Sequence, residues 1–477
     1  MDNAYLLPIN RRSSKVENKA TIIMCFIILF LVNYILRFFR NTDLFSLSIW
    51  FLLCIILLLK HLQFFLKYIL YFFGNTLNIL GVYVIENNSI YLYELGTHSI
   101  RYDSLFLITL THCVFSLVLL TFDASIKKRV DKYSKFAKIR IGQRRADKYI
   151  IYFFLSFFMV AIIYMLSKTI VNSAGKNQMD RFVYQATYIK GMWDILHTYI
   201  IYLIPIFVIV AFRKKFLISF PLVIGYCIYM YLTGNKFGSF LTIFAFYIPF
   251  IIKRFKLDRF NQKSLIKVLL IGGILAVSLY YVLYSVMSNT YGFNGQRFYT
   301  YLYDRLAQQG QIWWAIYGKE QHGGFHFDQL SVSIGSLFGI DKEVIKSLDY
   351  GMYKMMKLVT PYNIYQAKIE SGSRYTTSTQ ATLYYYFKTV GLIGFTGLLA
   401  ILVSYIINWY WREIENGSWF GSIISGFFYT LIYAVYSQSD FNIFFSKRKF
   451  LVLFVFLIIR LVNRLDNRKK INLIKQA

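Results

Sequence analysis

The chain has 477 residues, 57% of them apolar and 20% aromatic, with a formal charge of +30. Apolar runs of about 20 residues, the length a helix needs to cross a bilayer, recur from Thr21 to Val462 and exclude a water-soluble globular domain. In a soluble protein such a charge would point to nucleic acid; here it is explained by basic residues retained on the inner side of membrane spans, so no nucleic-acid partner is expected.

The first apolar run follows Arg11, Arg12, Lys15 and Lys19. It is too long, and lacks the small-residue cleavage site, for a removable signal peptide, so it is expected to stay as the first span. The densest basic run, Lys127 to Lys148, holds ten Lys or Arg and fixes the inner side. Counting outward from it gives spans at 20–39, 43–60, 64–85, 104–122, 149–170 and 195–212, then 216–232, 237–252 and 265–287, and finally 381–407, 419–436 and 447–463. The sequence therefore predicts an all-α polytopic membrane protein of about twelve transmembrane helices, with both termini cytoplasmic. The boundary between spans two and three is tight, because Lys60, His61, Gln63 and Lys67 leave little room for a turn. Pro205, Pro221 and Pro249 fall in spans six to eight, where each removes a backbone donor and favours a kink. Cys25, Cys54, Cys113 and Cys227 all lie within apolar runs, so no disulfide framework is expected.

Between spans nine and ten lies one long hydrophilic stretch, 288–380, which divides a membrane domain at 1–287 from another at 381–477. A loop of this length is usually functional. Gln296 to Gln309 runs without Gly or Pro and predicts a helix, with Arg297 and Asp304 seven residues apart on one face and Arg305 close beside them. Guanidinium groups at a membrane surface suit a lipid-linked phosphate, which they bind through a two-pronged fork; an Arg297–Asp304 surface pair is the plainer alternative. Trp313 and Trp314 follow, as headgroup anchors or as platforms for sugar rings. The stretch Lys342 to Lys357 predicts a basic amphipathic helix on the outer leaflet, and Thr377 with Gln380 matches a capping box one turn after Arg374.

Two further cations lie on the same expected side: Arg181 between spans five and six, and Lys236 in the tight Gly234-Asn235-Lys236 turn between spans seven and eight. His322 and His326 with Asp328 resemble metal ligands superficially, but Gly323 and Gly324 break the helix that would align the imidazoles, so no metal site is expected. Either histidine, or Asp304, Glu320, Asp328 or Glu370, has the chemistry of a general base. No Asp-x-Asp pair or Walker-type loop is present, which argues against a metal-bound nucleotide-sugar donor.

The tight outer turn Leu232-Thr-Gly-Asn-Lys236 and the late loop sequence Arg305-Leu-Ala-Gln-Gln, on twelve spans, resemble the bacterial O-antigen polymerases, whose scaffold is shared with the O-antigen ligases. The resemblance covers the chain by topology and two short stretches by motif. It implies essential arginines in the third and fifth outer loops, here Arg181 and then Arg297, Arg305 and Arg374. Where the related turn reads Thr-Gly-Ser-Arg, this chain has Asn235 and Lys236, which keeps the charge and loses the fork. The implied activity is periplasmic transfer of a growing glycan from undecaprenyl diphosphate to a new lipid-linked repeat unit, with no cofactor. Arg305, Arg297, His322 and Asp304 would be catalytic; Arg181, Lys236, Arg374, Trp313 and Trp314 would bind substrate. Membrane lipids, a chain-length regulator and a flippase are the implied partners, in a bacterial inner membrane. A ligase acting on lipid A core, or a lipid-linked oligosaccharide flippase, remains open as an alternative.

Overall fold

The computed structural model describes residues 13–38, 42–136, 145–172, 181–212, 216–233, 238–257, 295–321, 348–370, 374–375, 379–439 and 441, with scattered residues in 266–288 and at 454. The protein is helical and polytopic, as its apolar periodicity dictates: eight helices among the described residues are long and apolar enough to cross a membrane. They correspond to expected spans one to six, ten and eleven. Spans seven and eight are the 17-residue helices α10 (Phe216–Leu232) and α11 (Gly238–Arg254). About half of span nine and nearly all of span twelve fall outside the described residues, as does the turn at Gly234, Asn235 and Lys236.

The first half comprises α1 (Ser13–Leu36), α2 (Asp43–Lys60), α3 (Leu62–Lys67), α4 (Ile69–Asn87), a two-residue hairpin β1 (Tyr91–Leu92) and β2 (Thr97–His98), and α5 (Leu105–Phe136). The third span is not the continuous helix 64–85. The backbone leaves helical geometry at His61 and again at Tyr68, so the chain turns through the short α3 before α4 begins. Next come α6 (Arg145–Val171), α7 (Arg181–Tyr188), α8 (Met192–Tyr199) and α9 (Ile204–Phe212), with one 3-10 turn, Ile200–Leu203, joining the last two. Pro205 sits in the first turn of α9, where a missing N–H costs nothing; Pro221 and Pro249 lie inside α10 and α11.

The expected outer stretch contributes four helices: α12 (Gly295–Ala307), α13 (Gln311–Glu320), α14 (Gly351–Val359) and α15 (Tyr362–Glu370). The bundle closes with α16 (Thr379–Asn416) and α17 (Trp419–Gln438). The α16 helix packs along α5 and α17 and is broken at Lys388, whose φ of 51° and ψ of −160° are not helical. From Lys388 to Asn408 is 20 residues, roughly 30 Å of helix, about one hydrocarbon thickness.

Two polar layers bound that distance. At one end Lys67 pairs with Asp123 and bonds to Asn408. At the other end the Glu86 carboxylate, buried on α4, accepts the N–H of Ser104 at 2.7 Å and caps the start of α5. Residues 60–67, 127–131 and 412–415, which charge bias assigns to one side, lie together at the first end, while the β-hairpin and α13 meet at the second.

Candidate functional site

The Arg305-to-Gln309 stretch forms the tip of a helical hairpin that enters the bundle. As α12 runs beside α4, Leu306 comes against Gly81 and Gln309 reaches Asn78, so the chain goes deeper along α4 as it proceeds. The tip lies six to nine residues inside α4 from Asn87, or roughly 9 to 14 Å below that end. Irregular backbone is tolerated at such depth only when protein satisfies its polar groups. Here the side-chain amide of Asn78 donates to the Gln309 carbonyl at 2.6 Å.

Two glycines permit the approach. A Cβ on Gly310 would lie 2.3 Å from the Val82 nitrogen, and one on Gly81 would lie 2.5 Å from the Leu306 carbonyl oxygen, so backbone rests directly on backbone. The chain then climbs back through α13, whose indoles tie it to the end of the bundle where α5 begins: Trp313 Nε1 donates to the Ser104 carbonyl at 3.2 Å and Trp314 Nε1 to the Ile100 carbonyl at 2.8 Å. Both rings are buried, at 0% and 2% exposure, and so correct the expectation of headgroup anchors or sugar platforms. They hold the hairpin in place.

Beneath the tip is a polar layer within the spans. Asn78 Oδ1 meets His112 Nε2 at 2.9 Å, and the Tyr436 hydroxyl donates to Asn75 Oδ1 at 2.7 Å while lying 3.4 Å from His112 Nδ1. All four side chains are buried. Polar groups at this depth are costly unless mutually satisfied, and they mark positions with a task. Their task here includes capping the hairpin.

Arg305 projects from the hairpin one turn above the tip and is exposed. Its Nε donates to the Tyr301 hydroxyl and Nη1 to Gln308 Oε1, both at 2.8 Å, which fixes the guanidinium and leaves Nη2 outside these bonds. Beside it, burial pushes the Asp304 carboxyl above its ordinary value, the direction that suits a general base. Arg297 lies two turns nearer the start of α12 and is exposed.

A second set of groups caps this same end of the bundle. Lys388, at the break in α16, bonds to Glu320 Oε2 at 2.7 Å, with its ammonium 5.6 Å from the Tyr384 ring centre. Glu94, on the β-hairpin, accepts from Gln311 and Lys368, while the Tyr375 hydroxyl donates to the Glu94 carbonyl at 3.0 Å. Burial raises the Tyr375 phenol, keeping it protonated as that donor. Arg374 lies 4.7 Å from the Tyr353 ring centre. On α14, Met352, Met355 and Met356 are buried and Lys354 sits over Tyr385 and Tyr386, so this helix docks on protein instead of lying on the outer leaflet. Gly351, at φ 48°, starts that helix and does not interrupt it.

Residues 346–454 match the profile of a family of unknown function, DUF6418. That stretch includes α14 to α17, with Arg374 and Lys388, and leaves the hairpin outside it. No curated protein and no solved structure matches the chain.

Arg305, Asp304, Trp313 and Trp314 thus belong to one hairpin, whereas Arg374 joins the α14 side of that cap. Arg181 opens α7, and His322, His326, Asp328, Lys236 and Thr377 fall outside the described residues. Among those described, no three His, Cys, Asp or Glu side chains form a metal-binding group. Sequence reading missed Asn75, Asn78, His112 and Lys388. Asn75 and Asn78 stand three apart in an apolar span, a spacing that places them on one helix face. Nothing comparable flags Lys388, because Tyr384-Tyr-Tyr-Phe-Lys388 contains neither Gly nor Pro.

Proposed function

We propose that this protein is a membrane glycosyltransferase of the O-antigen polymerase type, moving a glycan from one undecaprenyl diphosphate carrier to the end sugar of another at the periplasmic face of the inner membrane. The observation that carries this reading is the placement of Arg305. The motif that bears the resemblance sits at and just above the tip of a hairpin that enters the bundle, with an exposed guanidinium clamped by Tyr301 and Gln308 and able to meet an anion. A polyprenyl diphosphate headgroup supplies such an anion.

In this mechanism the C–O bond between the donor sugar and the diphosphate breaks as the acceptor hydroxyl oxygen forms the new glycosidic bond. Arg305, with Arg297 and the outer-loop cations Arg181, Lys236 and Arg374, neutralises the departing diphosphate. Asp304 takes the acceptor proton, with His322 as the other candidate base. The bond between the donor sugar and the diphosphate stores the driving force, and the diphosphate departs intact on its carrier, so this reaction calls for no nucleotide. A chain-length regulator and a flippase are the partners such a polymerase works beside.

Glycan length in cells tests the reading. Loss of the protein should leave single repeat units on the lipid core, and Arg305→Ala should do the same while the protein stays in the membrane at normal abundance. Complete absence of O-antigen would instead identify a ligase or flippase. Normal long glycan from Arg305→Ala would remove Arg305 from the chemistry.

A further inference from the structure

A cavity of about 90 Å³ opens at the end of the bundle opposite the hairpin, between the α3 segment, α5 and the end of α16. Its walls carry three cationic side chains, Lys67, Lys127 and Arg412, and three carboxylates, Asp123, Asp131 and Glu415, beside Trp411 and Asn408. The deep wall is built and buried. Lys67, 6% exposed, bonds to Asp123 Oδ1 and Asn408 Oδ1, both at 2.6 Å. Tyr68, Ser404 and Asn408 also direct donors to that same Oδ1.

The four bonds that reach Asp123 all fall on Oδ1, and Oδ2 takes part in none of them. The carboxylate, which lines the cavity, is therefore held through one oxygen with the other outside these bonds. At the mouth, Arg412 lies 3.4 Å from Asp131 and 4.0 Å from Glu415, and Lys127 is exposed. The charges balance, which disfavours a simple anion or cation and favours a ligand carrying both signs. Asp123 Oδ2 calls for an N–H donor, Lys127 and Arg412 for phosphate oxygens. The cavity lies where α3, α5 and α16 leave the hydrocarbon, in the layer that lipid headgroups occupy.

We infer that this cavity binds the phosphoethanolamine headgroup of a membrane phospholipid, its primary ammonium against Asp123 and its phosphate against Lys127 and Arg412. A trimethylammonium group has no N–H to give Asp123 and is bulkier. A glycerol headgroup brings the phosphate without a cation. The site is separate from the proposed glycan chemistry and stands or falls on its own.

The test is lipid retention by the full chain, purified in detergent, delipidated, and offered equal amounts of phosphatidylethanolamine, its mono-, di- and trimethylated forms, and phosphatidylglycerol, read by native mass spectrometry. Retention should fall stepwise with methylation, by about tenfold across the series, the equivalent of one strong charge-assisted hydrogen bond. The pair Lys127→Gln with Arg412→Gln, which removes both phosphate partners at the mouth of the cavity, should reduce retention of the unmethylated lipid about fivefold at unchanged melting temperature, while Lys357→Gln at the opposite end leaves it unaltered. Equal retention of the trimethylated lipid, preference for phosphatidylglycerol, or indifference to the double variant would each overturn the assignment. So would soluble phosphoethanolamine binding as tightly as the lipid, because the ligand would then not be a membrane component.

Discussion

Replacing Gly310 with alanine should drive the hairpin out of the bundle. The new Cβ would stand 2.3 Å from the Val82 nitrogen and 2.6 Å from the Gly81 carbonyl carbon, both atoms of helical backbone that cannot rotate away. Relief needs the tip to withdraw by roughly 1 Å, at the upper end of the ~1–3 kcal/mol typical of overpacking. Withdrawal also stretches the 2.6 Å bond from Asn78 to Gln309 beyond use, for about 1 kcal/mol more. Together these shift the docked-to-undocked ratio by on the order of a hundredfold or more. The readout is maleimide labelling of Gln309→Cys in a chain whose four native cysteines are removed. Labelling should accelerate at least tenfold when Gly310→Ala is added. Gly74→Ala in the same α4 helix is the control, because nothing lies within 4 Å of its added methyl. Unchanged labelling with an unchanged melting temperature would refute the backbone-on-backbone contact.

Glu320→Gln or Lys388→Met alone should lower stability by about 3 kcal/mol, since each strands a mostly buried charge, and the double replacement should cost less than the sum of the two. Strict additivity in thermal unfolding would mean that the pair is not coupled. Asn78→Leu removes the cap on Gln309 and the partner of His112, and is expected to cost about 1–3 kcal/mol and to raise labelling at Gln309→Cys as Gly310→Ala does. Because folding raises the Asp304 carboxyl above its ordinary 3.8, its contribution is fully present below that value and is lost as pH climbs through the raised one. Asp304→Asn should therefore flatten the decline in melting temperature above about pH 4; an unaltered pH profile would mean that the carboxyl ionises alike in both states.

The membrane architecture was legible because a bilayer imposes one length and one polarity on every crossing segment. The helix expected over Gln296 to Gln309 is found at Gly295–Ala307 for a comparable reason, a run without Gly or Pro beside apolar neighbours. What stayed hidden depends on pairs far apart in the chain. Gly81 and Gly310 are each an unremarkable glycine until their helices cross, and then only the absence of two methyl groups lets a polar turn enter the bundle. Trp313 and Trp314 look like interface anchors by composition, yet Ser104 and Ile100 offer their carbonyls at the right height and the rings become buried fasteners. The double break around α3 sets Lys67 against Asp123, a partner 56 residues away.

The α16 helix touches both ends of the protein, carrying Lys388 at one and Asn408, Trp411, Arg412 and Glu415 at the other. Below its break it is a stiff lever of 28 residues, from Thr389 to Asn416, while the two turns above it are anchored separately through Thr379 to the Val435 carbonyl. Lys388 is therefore a pivot. Helix α16 thus places the cavity wall and the ammonium that holds Glu320 at the two ends of one continuous 28-residue segment, with the seat of Thr379 on the other side of the break.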